Sequence, residues 1–216
     1  MRDVRSLRTS ERGNVTYLVN EVFYTLQGEG YWTGRPAVFC RFSRCNLWNG
    51  REEDRHRSIC SFCDTDFSNY TEYDAATLVD RIKSLWPGGG QPMVVFTGGE
   101  PALQLDEELI KLFGADWYVA VETNGTRPLM AEVDWVCVSP KTPRLRITEG
   151  DELKLVYPQA GRMMPASYEG LDFNVFWLSP MDGPNLSENR DAAIDYVKSH
   201  PQWRLNTQMH KVVGIR

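Results

Sequence analysis

The chain has 216 residues, of which 42% are hydrophobic and 12% aromatic, enough for the core of one α/β domain. Its 24 Lys and Arg residues against 29 Asp and Glu residues give a net charge of −5. This balance argues against a broad phosphate-binding surface, so nucleic acid is not predicted as a partner. A small anionic ligand in a local basic pocket is compatible with it.

Residues 1–16 are predicted to be a disordered or variable leader, with a binding arm as the alternative. They carry four arginines and lack the run of roughly 7–15 apolar residues that a secretory signal needs. The chain also lacks the roughly 18 consecutive apolar residues of a membrane span. The sequence therefore predicts a cytoplasmic protein without a membrane partner.

Apolar runs suited to strands alternate with helical patterns. Strands are predicted at residues 17–24, 37–42, 93–97, 118–122, 135–139, 152–157, 175–179 and 203–208, and helices at 75–86, 105–113 and 187–200. This alternation predicts a mostly parallel sheet with covering helices. Because the chain is shorter than the roughly 250 residues of a full eight-unit barrel, we predict an α/β fold: an incomplete, modified TIM-type (β/α)6-like barrel, a single core domain over 17–216.

Polar motifs follow five of these strands. They are TGGEP at 97–101, ETNG at 122–125, SPK at 139–141, SPMD at 179–182, and Gln208 with His210. Parallel strands place their C-terminal ends on one rim, where ligand sites lie. Turn chemistry explains any one motif, but five motifs at five strand ends predict a binding site.

Three of the five cysteines lie in one loop, at residues 45–67. Fourteen residues separate Cys45 from Cys60, and two separate Cys60 from Cys63. Three thiolates suffice for a [4Fe–4S] cluster when a non-protein ligand takes the fourth iron. His56 leaves a Cys3His zinc site as the alternative. The other two cysteines, Cys40 and Cys137, lie in apolar runs and are predicted to be buried.

The motifs together resemble the 7-carboxy-7-deazaguanine synthase family of the radical S-adenosylmethionine superfamily, in the subgroup with an enlarged cluster loop. The resemblance covers residues 17–216. The commoner superfamily pattern has three rather than fourteen residues between its first two cysteines. The segments that carry the resemblance are FYTLQGEG (23–30), GRPAVFCRFSRCNLW (34–48), CDTDF (63–67), TGGEP, ETNG, SPK and PMDGP (180–184).

The resemblance implies a radical lyase of queuosine biosynthesis. S-adenosylmethionine would chelate the open iron of the [4Fe–4S] cluster, and one electron would split it to a 5′-deoxyadenosyl radical. That radical would abstract hydrogen from 6-carboxy-5,6,7,8-tetrahydropterin, whose ring contracts with loss of ammonia to give 7-carboxy-7-deazaguanine. The family also implies Mg²⁺, a flavodoxin-type electron donor and a homodimer.

The resemblance also assigns site residues. Cys45, Cys60 and Cys63 would ligate the cluster, and Thr65 would bind Mg²⁺. The S-adenosylmethionine contacts would be Phe62, Gly98, Gly99, Glu100, Ser139, Pro140, Lys141, Ser179, Pro180, Met181 and Asp182. Phe62 could equally be a hydrophobic plug beside the metal turn. Close relatives often carry glutamine at the position of Ser179.

The substrate contacts implied by the family are Leu26, Gln27, Gly28, Arg41, Thr97, Glu122, His210 and the terminal carboxylate of Arg216. A guanidinium at Arg41 suits the substrate carboxylate, and burying a mid-strand arginine is costly without a partner. Glu122 suits the two parallel N–H donors of the pterin. For Glu29 and His210, a structural role is the alternative to a role in substrate binding.

Two functions of other kinds remain open from the residues. One is a zinc-stabilised binding module without catalysis. The other is a different radical enzyme, such as a glycyl-radical activase, although the small polar pocket implied by Gln27, Arg41 and Glu122 argues against it.

Overall fold

The computed structural model describes residues 16–63, 65–67, 69–159 and 163–216. These residues divide into two compact units. The first holds residues 16–24, 37–122 and 129–134, and the second holds residues 25–36, 123–128 and 135–216. The predicted leader lies almost wholly outside the described residues, and the single core domain stays a prediction. Within the described part, no helix is both long and apolar enough to cross a bilayer.

The strands of the first unit are mainly parallel. Strand β4 pairs in parallel with β2 on one side and with β5 on the other, while β3 pairs antiparallel with β1. Their bounds are Tyr17–Leu26 (β1), Pro36–Phe42 (β2), Thr71–Tyr73 (β3), Met93–Gly98 (β4) and Tyr118–Thr123 (β5). The sequence did not predict β3, which is only three residues long and largely exposed.

Helices cover the first unit as predicted. Helix α1 (Ala75–Ser84) begins at Asp74, whose carboxylate accepts a hydrogen bond from the Thr77 backbone N–H. Its buried face carries Leu78 and Ile82, and each such side chain contributes about 1.5–3 kcal/mol by leaving water. Helix α2 (Glu107–Lys111) follows, after a short 3-10 helix at Pro101–Leu103. A second 3-10 helix, Glu52–Arg57, lies in the cysteine loop.

The second unit contains four strands that pair in parallel and a core of mainly apolar side chains. The strands are β6 (Trp135–Val138), β7 (Glu149–Tyr157), β8 (Asp172–Pro180) and β9 (Trp203–Leu205), paired in that order. Alternation places Leu153, Leu155 and Leu178 in the core, which α3 (Leu186–Ser199) joins through Ala193. The opposite register positions of β7 carry the buried charged residues Glu152 and Lys154.

The chain ends with helix α4 (Met209–Val213), which the sequence did not predict. The predicted strand 203–208 is shorter than expected and ends at Leu205. The backbone N–H of the next residue, Asn206, still donates to the Leu178 carbonyl of β8, while its side chain accepts from the Gly30 backbone N–H and donates to Ser179. The predicted α/β class with mostly parallel strands is confirmed.

Candidate active site

The cysteine loop of the first unit holds the three predicted cluster ligands. Cys60 and Cys63 lie at the ends of a tight turn, in which the Cys63 N–H donates to the Cys60 carbonyl. The Cys45 sulfur accepts a hydrogen bond from the Leu47 N–H, 3.4 Å away. Burial raises the pKa of the Cys45 thiol to about 11, and the nearby Glu100 and Cys63 add to this. Thiols that favour the protonated state without metal release protons when they bind iron.

A single-ion zinc site is less well supported in this loop. The predicted fourth ligand, His56, is exposed, and its Nε2 accepts a hydrogen bond from Arg57 at 3.0 Å. Among the described residues, no three His, Cys, Asp or Glu side chains converge closely enough to hold one ion. A thiol donor set on one loop fits an iron–sulfur cluster, whose ligands bind different irons and therefore lie farther apart. Phe62 and Thr65 are both half-buried in the same loop.

The TGGEP motif forms the C-terminal end of β4. Gly98 has a φ of +118°, and a Cβ on it would overlap the Phe42 backbone. At Gly99 a Cβ would overlap the Arg44 carbonyl group. Both glycines are therefore required by the close approach of the chain that leads to Cys45. Glu100 is fully buried, and its carboxylate accepts from the Ala102 N–H at 2.9 Å.

A row of polar side chains crosses the first unit beside that motif. Arg41 and Thr97 are register partners on neighbouring strands. The Thr97 hydroxyl lies 3.5 Å from a carboxylate oxygen of Glu122. On the other side, the Arg41 Nε donates to Glu21 at 2.8 Å, and both side chains are about a quarter exposed. The mid-strand arginine thus has an ionic partner within the protein, and this pair was not predicted from the sequence.

The segment after β1 belongs to the second unit and contacts the C-terminal residues. The Met209 N–H donates to the Gly28 carbonyl, and a Cβ on Gly28 would overlap the ring of His210. The backbone oxygen of Arg216 accepts a hydrogen bond from the Thr25 hydroxyl at 2.8 Å. Three predicted substrate residues, Gly28, His210 and Arg216, are therefore brought together in this unit. Gln27 is buried, and Leu26 is partly exposed.

A buried ion pair lies next to this segment. The Lys154 ammonium is 2.7 Å from a Glu29 carboxylate oxygen, with the side chains only 8% and 17% exposed. Burial by itself would raise the pKa of Glu29. The charge and hydrogen bond of Lys154, the hydrogen bond from Gln208 and the charge of His210 together outweigh burial and lower this pKa to about 2. Glu29 is thus ionised at neutral pH.

The remaining predicted S-adenosylmethionine residues follow strands of the second unit. Lys141 donates to the Ser139 hydroxyl, which in turn donates to the Lys154 carbonyl. Pro140 and Ser179 are buried, and the Ser179 hydroxyl accepts from Asn206 at 2.8 Å. Pro180 closes β8, and the N–H of Met181 donates to the Tyr157 carbonyl. The Asp182 carboxylate pairs with Lys211, whose hydrogen bond lowers the Asp182 pKa.

Four polar residues with contacts to the predicted site were missed from the sequence: Glu21, Arg55, Lys154 and Asn206. For Lys154 and Glu21 a signal existed, because each is a charge inside an otherwise apolar strand, in ELKLVY and YLVNEVFY. Such a charge requires a partner. Asn206 and Arg55 lie in polar surroundings and gave no such signal.

The chain is similar in sequence and in fold to known proteins. The profile of the Radical SAM superfamily matches residues 55–151. A 7-carboxy-7-deazaguanine synthase of Burkholderia multivorans is 52% identical over 93% of this chain and all of its own length. One from Caulobacter vibrioides is 50% identical over the same shares. A crystal structure of QueE from Escherichia coli aligns with a TM-score of 0.67 and 26% identity, covering 94% of this chain and 100% of that one.

The fold, the three-cysteine loop and the superfamily match define a radical S-adenosylmethionine enzyme, a class that uses a [4Fe–4S] cluster and S-adenosylmethionine. The relatives then specify the family. This chain belongs to the 7-carboxy-7-deazaguanine synthases, as its motifs predicted. Membership supports this lyase family over both alternatives, the zinc-stabilised binding module and the glycyl-radical activase.

Proposed function

We propose that this chain converts 6-carboxy-5,6,7,8-tetrahydropterin to 7-carboxy-7-deazaguanine and ammonia, the lyase step of queuosine biosynthesis. The observation that carries this proposal is the set of three thiols in the cysteine loop, with Cys60 and Cys63 at the ends of one tight turn. When bound, the cluster supplies the single electron that cleaves S-adenosylmethionine to its 5′-deoxyadenosyl radical. The protein's part is to bind, orient and exclude water.

Three cysteines hold the cluster in this proposal: Cys45, Cys60 and Cys63. The methionyl ammonium of S-adenosylmethionine is received by the Gly98-Gly99-Glu100 segment, where a buried carboxylate offers a charge-assisted acceptor. The residues proposed to contact the rest of the cofactor are Phe62, Ser139, Pro140, Lys141, Ser179, Pro180, Met181 and Asp182.

The groups proposed to bind the pterin are those that the family resemblance assigns. Glu122 accepts two parallel N–H groups, with Thr97 beside it, and Arg41 pairs with the substrate carboxylate. Because Arg41 also pairs with Glu21, its guanidinium is held in place before substrate arrives. The further contacts are Leu26, Gln27, Gly28, His210 and the carboxylate of Arg216, which Thr25 holds.

Thr65 is proposed to bind Mg²⁺ together with water and substrate oxygens, because one hydroxyl alone is a weak ligand. Removing Mg²⁺ with a chelator should then slow product formation without bleaching the cluster. A Thr65→Ala variant should need more Mg²⁺ for half-maximal rate. An unchanged Mg²⁺ requirement in that variant would exclude Thr65 as a ligand.

The cellular setting is proposed from the family and the charge of the chain. We infer a cytoplasmic homodimer that receives electrons from a flavodoxin-type donor. Light scattering of the purified holoenzyme measures the oligomeric state. Turnover with reduced flavodoxin, compared with dithionite, tests the donor.

The reaction is tested with anaerobically reconstituted enzyme, S-adenosylmethionine, a reductant and the carboxytetrahydropterin. We expect ammonia and 7-carboxy-7-deazaguanine to form in equal amounts, and neither to form with the Cys60→Ala variant. Absence of both products from protein whose cluster is intact would refute the proposed function.

A further inference from the structure

The fourteen residues between Cys45 and Cys60 contain a side chain that connects the two arms of the cysteine loop. The first arm is residues 45–48, and the second is the Cys60–Cys63 turn. Arg55 lies in the 3-10 helix Glu52–Arg57, of which no residue is fully buried. Its side chain is only 29% exposed, whereas that of Glu52 is 76% exposed. Arg55 therefore points back into the loop.

The Arg55 guanidinium makes two hydrogen bonds to the cysteine turn itself. Its Nη1 donates to the Ser61 carbonyl at 3.1 Å and to the Cys63 carbonyl at 2.9 Å. Both carbonyls belong to the Cys60–Cys63 turn, in which the Cys63 N–H donates to the Cys60 carbonyl at 3.4 Å. Charge-assisted bonds are stronger than neutral ones, so this contact fixes the turn.

The same guanidinium contacts the other arm of the loop. Its Cζ lies 4.2 Å from the ring centroid of Trp48, three residues after Cys45. Trp48 is 8% exposed and packs edge-on against Phe67, so it is a firm base for the arginine. The Arg55 Nε donates to both carboxylate oxygens of Glu52, at 2.7 and 2.8 Å, which orients the guanidinium plane.

These contacts use three properties that only arginine combines. The planar group donates on one edge to two carbonyls, donates on another to a carboxylate, and stacks its face on an indole. A lysine could supply the charge but neither the fork nor the flat face. The contact set therefore spans the first cysteine arm and the turn of the second and third cysteines.

We propose that Arg55 is a positioning residue for the iron–sulfur cluster. It holds the Cys60–Cys63 turn against the segment that follows Cys45, and it places a fixed positive charge beside the cysteine turn. This inference rests on the proposed function only in requiring that the loop binds a cluster. Because the cysteines are held in place, less chain freedom is lost when iron binds. A nearby positive charge also favours the reduced cluster.

The test compares Arg55→Gln, Arg55→Lys and the wild-type holoenzyme, with Arg57→Gln as matched control. Arg57 lies in the same helix and carries the same charge, but its guanidinium contacts the exposed His56 ring. The first readout is the rate at which a chelator removes iron, followed by visible absorbance. The second is the cluster reduction potential, from titration monitored by electron paramagnetic resonance.

We expect Arg55→Gln to lose iron about fivefold to tenfold faster than wild type and to have a more negative potential. Arg55→Lys should also lose iron faster, yet keep a potential near that of wild type, because it retains the charge. Arg57→Gln should match wild type in both. If Arg55→Gln fails to fold, the rate of iron loss from Arg55→Lys tests the inference instead.

Equal iron-loss rates and potentials in the Arg55 and Arg57 variants would overturn the inference. Neither readout uses the pterin, so the two proposals fail separately. Wild-type protein that holds a stable cluster but makes no deazaguanine would refute the proposed function and leave the role of Arg55 intact.

Discussion

Arg41 has an ionic partner within the protein and, in the proposed function, a second one in the substrate. Its Nε is used by Glu21, so the cost of a half-buried charge is met without substrate. A bidentate ligand such as a carboxylate can still approach the other edge of a guanidinium, since Nε occupies only part of its donor set. In the proposed function, Glu21 orients Arg41 for the substrate carboxylate.

Replacing Arg41 with Gln should weaken substrate use and spare the cluster. We expect KM for the carboxytetrahydropterin to rise at least about tenfold, since a charge-assisted pair is lost. Glu21→Gln should give a smaller rise, because the guanidinium remains but is less well oriented. Steady-state kinetics and iron content measure both effects. A parallel fall in iron content would place Arg41 in cluster binding instead.

We predict that position in the chain, rather than burial alone, separates the cluster-binding cysteines from the structural ones. Cys60→Ala should abolish the cluster absorbance and turnover together, because a thiolate ligand is lost. Cys137→Ala is the matched control, since Cys137 is buried among apolar strand residues of the second unit. It should keep the cluster and lose at most about 1 kcal/mol of stability. Iron and sulfide analysis separates the two cases, and loss of iron from Cys137→Ala would contradict this division.

At the scale of elements, the end of β4 is shaped by the strand beside it. The N–H groups of Gly99 and Glu100 donate to the carbonyls of Phe42 and Arg44, each at 2.9 Å. Arg44 has a positive φ of 73°, where the chain turns towards Cys45. The TGGEP motif and the start of the cysteine loop therefore pack directly against each other.

Gly99→Ala should destabilise this element, because its Cβ would overlap the Arg44 carbonyl. We expect a loss of about 1–3 kcal/mol, the usual cost of overpacking. Gly170→Ala is the control, since no atom lies within 4 Å of its added Cβ. Urea denaturation should show a change within about 0.5 kcal/mol for that variant. Equal midpoints for the two variants would mean that the backbone at Gly99 relaxes freely.

At the scale of the whole molecule, the Glu29–Lys154 pair links stability to pH. The folded-state pKa of Glu29 is lowered, so the ionised carboxylate stabilises the fold above the ordinary pKa of 4.5. This contribution is lost as pH falls from about 4.5 towards about 2, when the folded-state carboxylate also takes up its proton. Acid should therefore weaken the second unit through this pair.

Glu29→Gln should lower the free energy of unfolding at pH 7 by about 3 kcal/mol, because Lys154 would be left buried without its ionic partner. The difference between variant and wild type should shrink as pH falls through that window. Adding Lys154→Met should recover part of the loss at pH 7. Chemical denaturation at several pH values measures this, and a difference independent of pH would contradict it.

Much of the fold and the family followed from local pattern in the sequence. Short apolar runs located eight strands, and the Asp74 cap located α1. The cysteine spacing and the strand-end motifs indicated the cluster loop and the family. These features are encoded within short segments, where periodicity, turn chemistry and ligand spacing depend only on nearby residues.

Only the tertiary structure decided which side chains meet across long stretches of chain. Arg41 pairs with Glu21 from another strand, and Thr25 contacts Arg216 across 191 positions. Lys154 forms an ion pair with Glu29, and Arg55 donates a hydrogen bond to the Cys63 carbonyl. Such pairs depend on strand register and on loop direction, which packing of the whole chain sets and local residue pattern does not contain.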